Sequence, residues 1–224
     1  MVPTADAADA ADAADAAGTA GTADAAGTEG TDYRVVRGQR NRQAVVRALM
    51  ELIQEGEPVP TAAQIAERAG VAVRSIYHHF ADLESLHLAL ADEHFGSLAD
   101  LLVPIPTDGP LATRLTAFTG YRSALFERAM PVYRASLLAA VRSPGVAQRI
   151  AFGNEFLRAE LAQTFAIELR GGPPWKLQAL DGLTSFDGWV RLRSSQGLDV
   201  DVAQQVLAHA IEAILAGSST DTGH

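Results

Sequence analysis

From Gly38 onward, apolar residues recur at helical spacing. Val45, Leu49, Leu52 and Ile53 fall three and four apart and predict a first amphipathic helix, stopped by Gly56 and the Pro58/Pro60 pair. Thr61 stands where a helix N-cap belongs, its hydroxyl placed to satisfy a free amide of a second helix running to Arg68. Gly70 closes that helix, because glycine takes the left-handed conformation at little cost. A third, short helix is predicted from about Ala72 to His79. Asp82 caps a longer fourth, with Leu83, Leu86, Leu90 and Leu98 facing inward. Beyond a break at Pro104–Pro110, further amphipathic segments are predicted at about 110–129, 131–142, 145–169, 175–196 and 199–216. Pro131, Pro144, the Gly171-Gly172-Pro173-Pro174 cluster and Gly197 separate them. No run alternates apolar and polar residues as a half-buried strand would, so the predicted fold class is all-α.

The third helix has two faces. Val73, Ile76 and Phe80 recur at spacings of three and four and are expected to face the core with Ile65, Ala66 and Ala69. Arg74, Ser75 and His78 then share the outward face, with Tyr77 and His79 at its flanks. Two short helices joined by a glycine turn, the second with a polar outward face, form a helix-turn-helix whose second helix fits the major groove of DNA. An arginine there can fork onto a guanine edge, whereas Ser, Tyr and His more often position the protein on phosphates. The plain alternative is an ordinary helical hairpin. A metal site at His78-His79 is a poor reading, since adjacent helical positions diverge by about 100°. His87 and His94, seven apart, have no carboxylate or thiolate partners at set spacing and read as packing or pocket lining. No metal and no cofactor are expected.

Composition and charge sharpen this picture. The 224 residues are 48% hydrophobic, enough for one or two domains with a true core. No run of about 18 uncharged apolar residues would span a membrane, no secretory signal is visible, and cysteine is absent. The expected location is the cytoplasm, and the excess of alanine and arginine over a single lysine, Lys176, suggests a GC-rich bacterial genome. The net charge of -9 would argue against a nucleic-acid partner, but its distribution does not. Residues 1–33 carry seven acids and no base, residues 34–80 carry seven arginines against four glutamates (+3), and residues 81–224 carry 11 bases against 16 acids (-5). Phosphate binding responds to that local asymmetry. The acidic segment 1–33, with its Asp-Ala-Ala repeat, offers no large apolar residue between Val2 and Tyr33 and is expected to be a disordered tail.

Thr61-x3-Ile65-Ala66-x2-Ala69-Gly70-Val71, followed by Ser75-Ile76-Tyr77-x-His79-Phe80 and Leu86, resembles the DNA-binding signature of the tetracycline-repressor (TetR) family of bacterial regulators. Arg42-x2-Val45-Val46 matches the start of that family's first helix, and "WVRLRSSQGLDVDVAQQVLAHAIEAIL" is more loosely similar to its last two helices. The resemblance implies an all-helical homodimer, with an N-terminal helix-turn-helix DNA-binding domain and a C-terminal ligand-binding and dimerisation domain. The expected boundaries are 34–81 and 82–216, with a flexible C-terminus at 217–224. Family positions that contact phosphate fall on Thr61, Tyr77 and His79, and the variable base-reading positions fall on Arg74, Ser75 and His78. Two departures stand out: Ala72 replaces the serine that commonly opens the recognition helix, and Leu83 replaces a lysine at the start of the fourth. Arg34, Arg37, Arg40 and Arg42 are expected to compensate as a flexible basic arm.

The resemblance places a small-molecule pocket among the helices of residues 82–190. Most aromatics there belong to the core; Phe95, Phe118, Phe126, Phe152 and Phe156 are candidates for an apolar wall. His94, Tyr121, Arg122, Tyr133 and Asn154 are candidates for its polar groups. Dimerisation is expected through the last two long segments. Leu177, Leu180, Phe186 and Val190 in one, with Val206, Ile211, Ile214 and Leu215 in the other, give more apolar surface than a single neighbour covers. The expected function is a transcriptional regulator, a repressor released from a pseudo-palindromic operator by a small, largely apolar ligand. A scaffold keeping a relic helix-turn-helix is the alternative. An enzyme is disfavoured by the lack of a phosphate loop, HExxH, G-x-S-x-G or a paired-carboxylate site.

Overall fold

The computed structural model describes residues 35–217, and the expectations for the acidic segment 1–33, for Arg34 and for residues 218–224 lie outside them. The described residues form ten α-helices and no strand. The first helix, α1, occupies residues 35–54. It is followed by α2 (Ala62–Ala69), α3 (Val73–His79), α4 (Leu83–Ser97), α5 (Leu111–Ala140) and α6 (Pro144–Thr164). Then come the short α7 (Ala166–Leu169), α8 (Trp175–Leu183), α9 (Phe186–Val190) and α10 (Val200–Ala216).

Local chemistry accounts for the ends of these helices. Thr61 and Gln64 form a reciprocal capping box at the start of α2, with the Thr61 amide donating to Gln64 Oε1 at 2.8 Å. Gly70 ends α2 in the left-handed region (φ 68°), and the Val71 amide reaches back to the Ala66 carbonyl at 3.0 Å. Asp82 accepts the Ser85 amide at the start of α4, and Ser143 and Asp199 accept amides at the starts of α6 and α10. The only lysine, Lys176, is buried and donates to the Leu215 carbonyl at 2.9 Å, closing the C-terminal end of α10 from α8.

Three apolar clusters hold the molecule together. The first joins Val45, Leu49 and Ile53 of α1 to Ile65, Ile76 and Phe80, then to Leu86 and Leu90 of α4 and Val132 and Ala135 of α5. The second gathers Leu98, Leu125, Phe126, Trp189 and Leu207. The third packs Phe118, Leu161 and Phe165 against Leu180, Ile211 and Leu215. Helix α4 belongs to the first cluster at one end and reaches the second through Leu98, so it links the N-terminal helices to the rest.

Several sequence expectations are corrected. The predicted segments 110–129 and 131–142 are one helix running through Pro131. A proline inside a helix costs about 3 kcal/mol, but α5 packs on both sides of it, Phe126 and Ala129 in the second cluster and Val132 and Ala135 in the first. Conversely, the predicted segments 145–169 and 175–196 are broken, the first at Phe165 and the second at Thr184–Ser185. Ser185 caps a new helix there through the Gly188 amide. Val73 is 41% exposed and Leu83 54% exposed, not inward: each sits in the first turn of its helix, outside the cluster its neighbours fill.

Candidate functional site

The helix-turn-helix is built from α2 and α3 on the platform of α1. Arg68 anchors α2 to α1 with a two-pronged ion pair to Glu55, at 2.9 and 2.7 Å, and lies 3.6 Å from Glu51. This commits Arg68 to the scaffold. Ile76 and Phe80 fix α3 from below, leaving Arg74 and His78 exposed and Tyr77 58% exposed; Ser75 is half-buried. Thr61 is exposed at the start of α2. Ala72 provides no side-chain cap for α3.

His79 differs from the exposed candidates. Its ring is half-buried and faces α1, so close that a Cβ placed on Gly38 would lie 3.9 Å from its Cε1. Burial, the neighbouring His78 (ring centroids 5.3 Å apart) and the charge of Arg42 all hold its pKa below the ordinary histidine value. Arg42 itself stacks its guanidinium 4.8 Å from the centre of the Phe80 ring. The expected flexible arm is therefore corrected for its described part. Arg37, Arg40 and Arg42 are exposed residues of α1, because a helix once nucleated extends cheaply through arginine and glutamine.

A second feature lies between α4, α5, α6 and α9. It is a cavity of about 150 Å3 with a mainly apolar wall. His94, Phe95, Tyr133, Asn154 and Phe156 line it, as does Val132, which also belongs to the first cluster. Ser136, Arg149, Ile150 and Gly153 were not foreseen, although Val146, Ile150, Gly153 and Leu157 recur at helical spacing on one face of α6. Phe186, expected in a dimer seam, instead stacks on Tyr133 (centroids 4.2 Å apart, 12° between planes) and forms part of the wall. No carboxylate lines the cavity. Burial lowers the His94 pKa to about 4, and burial with the charge of Asp187 raises that of Tyr133 to about 12.

The remaining pocket candidates lie elsewhere. Phe118 and Phe126 are core residues, and Phe152 is 62% exposed off the wall. Tyr121 and Arg122 are buried beside Glu160. Arg122 reaches Glu160 at 3.2 Å and the Leu157 carbonyl at 2.5 Å, and its guanidinium lies 4.8 Å from the Phe118 ring centre. Periodicity could not separate these residues from the cavity, because wall and core residues share the same faces of α5 and α6.

The helix joining the two features is clamped to α6. Glu84 Oε1 of α4 accepts from the Ser143 hydroxyl at 2.7 Å and the Gly145 amide at 3.0 Å. Gly145 allows this approach, since a Cβ there would meet Glu84 Oε1 at 2.9 Å. Farther along, Asp92 pairs with Arg149 at 2.8 Å at the cavity's rim. Among the described residues no three His, Asp or Glu side chains gather as metal ligands, and no helix is long and apolar enough to cross a membrane.

The expected dimer residues divide. Leu180, Ile211 and Leu215 are corrected to monomer core, at the third cluster. Leu177, Val190 and Ile214 are half-buried, and Val206 is exposed. The faces left free are Trp175, Gln178, Ala179 and Gly182 on α8, and Val202, Val206, His209 and Ala213 on α10.

Residues 45–90 match the family model described as bacterial regulatory proteins, tetR family. No curated protein sequence matches the chain. Among solved structures, a tetR-family transcriptional regulator from Streptomyces coelicolor superposes with a TM-score of 0.62 at 21% identity, covering 79% of this chain and 80% of that one. A transcriptional regulator from Rhodococcus sp. Rha1 gives 0.59 at 19% identity, covering 80% and 95%. The multidrug binding protein EbrR, complexed with imidazole, gives 0.58 at 21% identity, covering 82% and 92%. At these identities the likeness shows the fold alone, and the family match covers residues 45–90, so it is the helix-turn-helix segment that is similar to the tetR family of bacterial regulatory proteins.

Proposed function

We propose that the protein is a homodimeric transcriptional repressor that reads a pseudo-palindromic operator and is released by a small, largely apolar ligand. The carrying observation is the single helix α4, which shares a core with the recognition helix at one end and lines an apolar cavity at the other. In this reading Arg74, Ser75 and His78 face base edges, while Thr61, Tyr77 and His79 hold phosphates, with Arg37, Arg40 and Arg42 adding charge along α1. The free faces of α8 and α10 meet their copies in a four-helix seam. A ligand favouring a shifted α4 changes the spacing of the two recognition helices, and the Glu84 and Asp92 contacts to α6 carry that shift. The same fold in EbrR, a multidrug binding protein, supports a role for the cavity.

The test is selection of bound fragments from a random DNA pool, followed by binding to the winner at several salt concentrations. A regulator yields an inverted repeat with half-sites about one helical turn apart or at a longer fixed spacing, and a salt-dependent affinity. Failure to enrich any sequence would favour the scaffold alternative, for which the uncapped Ala72 and exposed Leu83 are the motivating observations.

A further inference from the structure

The cavity's one deeply buried polar side chain is His94. It is 8% exposed, and its Nε2 is buried without a hydrogen-bond partner. The surroundings of the other ring nitrogen favour one tautomer. The Ser97 hydroxyl donates to the His94 carbonyl at 2.6 Å, so its oxygen, 3.5 Å from Nδ1, has only lone pairs left to offer. With the ring hydrogen on Nδ1, facing that oxygen, Nε2 has a lone pair to offer. Buried acceptors of this kind normally find a donor, and no neighbouring side chain provides one.

Resting on the reading of the cavity as an effector site, we infer that His94 Nε2 accepts a hydrogen bond from the effector, an uncharged, flat, apolar molecule carrying one hydroxyl or N–H group. Three further observations fix that class. No carboxylate lines the wall to balance a cationic ligand, and the one charged wall residue, Arg149, already pairs with Asp92 at the rim. The volume of about 150 Å3 suits a single ring with small substituents. The parallel Tyr133 and Phe186 rings give the wall a flat aromatic section against which another ring can pack. Burial keeps the imidazole neutral near pH 7, so the bond is between neutral groups.

The probes are phenol, toluene, anisole and benzylammonium, titrated calorimetrically into the full-length protein near pH 7.5. Phenol should bind about tenfold more tightly than toluene or anisole, the gain of one buried hydrogen bond. In His94→Leu the phenol advantage should vanish while toluene still binds. Because that variant changes a core position, nitrogen NMR of the wild-type histidine provides a second readout: the His94 Nε2 signal should be that of an unprotonated nitrogen and should shift on adding phenol but not toluene. Equal binding of phenol and toluene would overturn the acceptor role and leave the cavity reading standing. Tighter binding of anisole or of benzylammonium would overturn it as well. Binding of none of the four would remove the cavity reading itself, and the inference with it.

Discussion

Arg74 and Tyr77 are neighbours in space but are expected to fail differently. Arg74→Ala should cost about 1–3 kcal/mol and relax specificity at particular base pairs if, as proposed, its guanidinium forks onto a guanine edge. Tyr77→Phe should weaken all sequences alike, because a phosphate contact carries no sequence information. Binding curves on the operator and on single-base variants separate the two; uniform loss for Arg74→Ala would end its base-reading role. His94 makes a different prediction. Its folded pKa of about 4 lies below the unfolded value of about 6.5. Between those values the unfolded chain binds a proton that the folded one does not, so stability falls as pH falls. The loss should be roughly 2 kcal/mol from pH 7 to pH 5. Arg149 of α6 and Tyr133 of α5 are the other ionisable wall residues, and Asp92 of α4 pairs at the rim. Urea midpoints at the two pH values should show a smaller drop in His94→Leu than in wild type. The outward Arg74 and His78 were legible from helical spacing alone. The neutrality of His94 was not, because nothing in its neighbourhood along the chain shows what folds over it.

At the scale of elements, the turns were easier to read than the long helices. Thr61, Gly70 and Asp82 act through their own backbone and nearest neighbours, so their roles are written locally. Pro131 misled because its local cost is outweighed by packing along α5 that brings in residues from both ends of the chain. The break between α8 and α9 was missed because its requirement is three-dimensional. Gly188 sits where a Cβ would lie 2.3 Å from the Leu183 carbonyl oxygen and 2.9 Å from that of Gly182. Backbone cannot yield there as a side-chain tip can. Gly188→Ala should therefore destabilise the fold by at least about 2–3 kcal/mol. A Cβ on Gly182, on the exposed face of α8, meets nothing within 4 Å, so Gly182→Ala should leave the monomer's stability intact. Thermal denaturation of the two variants side by side checks this, and equal melting temperatures would mean the α8–α9 junction can rearrange.

The proposed pairing and coupling belong to the whole molecule and to no single element. Val202 and Val206 are exposed on α10, while Ile211 and Leu215 of the same helix are spent on the monomer's core. Val202→Asp with Val206→Asp should therefore give a folded monomer by sedimentation, whereas Ile211→Asp should unfold the chain. A dimer that survives the double change would move the seam off α10. Coupling is the stricter test. If phenol releases the protein from its operator, it does so only by binding the released form more tightly, by about 1–3 kcal/mol for a typical regulator. Linkage then obliges operator DNA to weaken phenol binding by the same factor. The path proposed for that exchange runs through Glu84, which grips the start of α6 from the helix that also shares the recognition helix's core. Glu84→Gln keeps the side chain's shape but removes its charge, weakening its hold on the Ser143 hydroxyl and the Gly145 amide. Phenol titrated into free protein and operator complex should show the full difference in wild type and a reduced one in Glu84→Gln, with affinity for free protein little changed. An undiminished difference in the variant would mean that α4 and α6 communicate through the apolar wall itself, past Val132 and Ile150, and that the carboxylate only holds the helices in register.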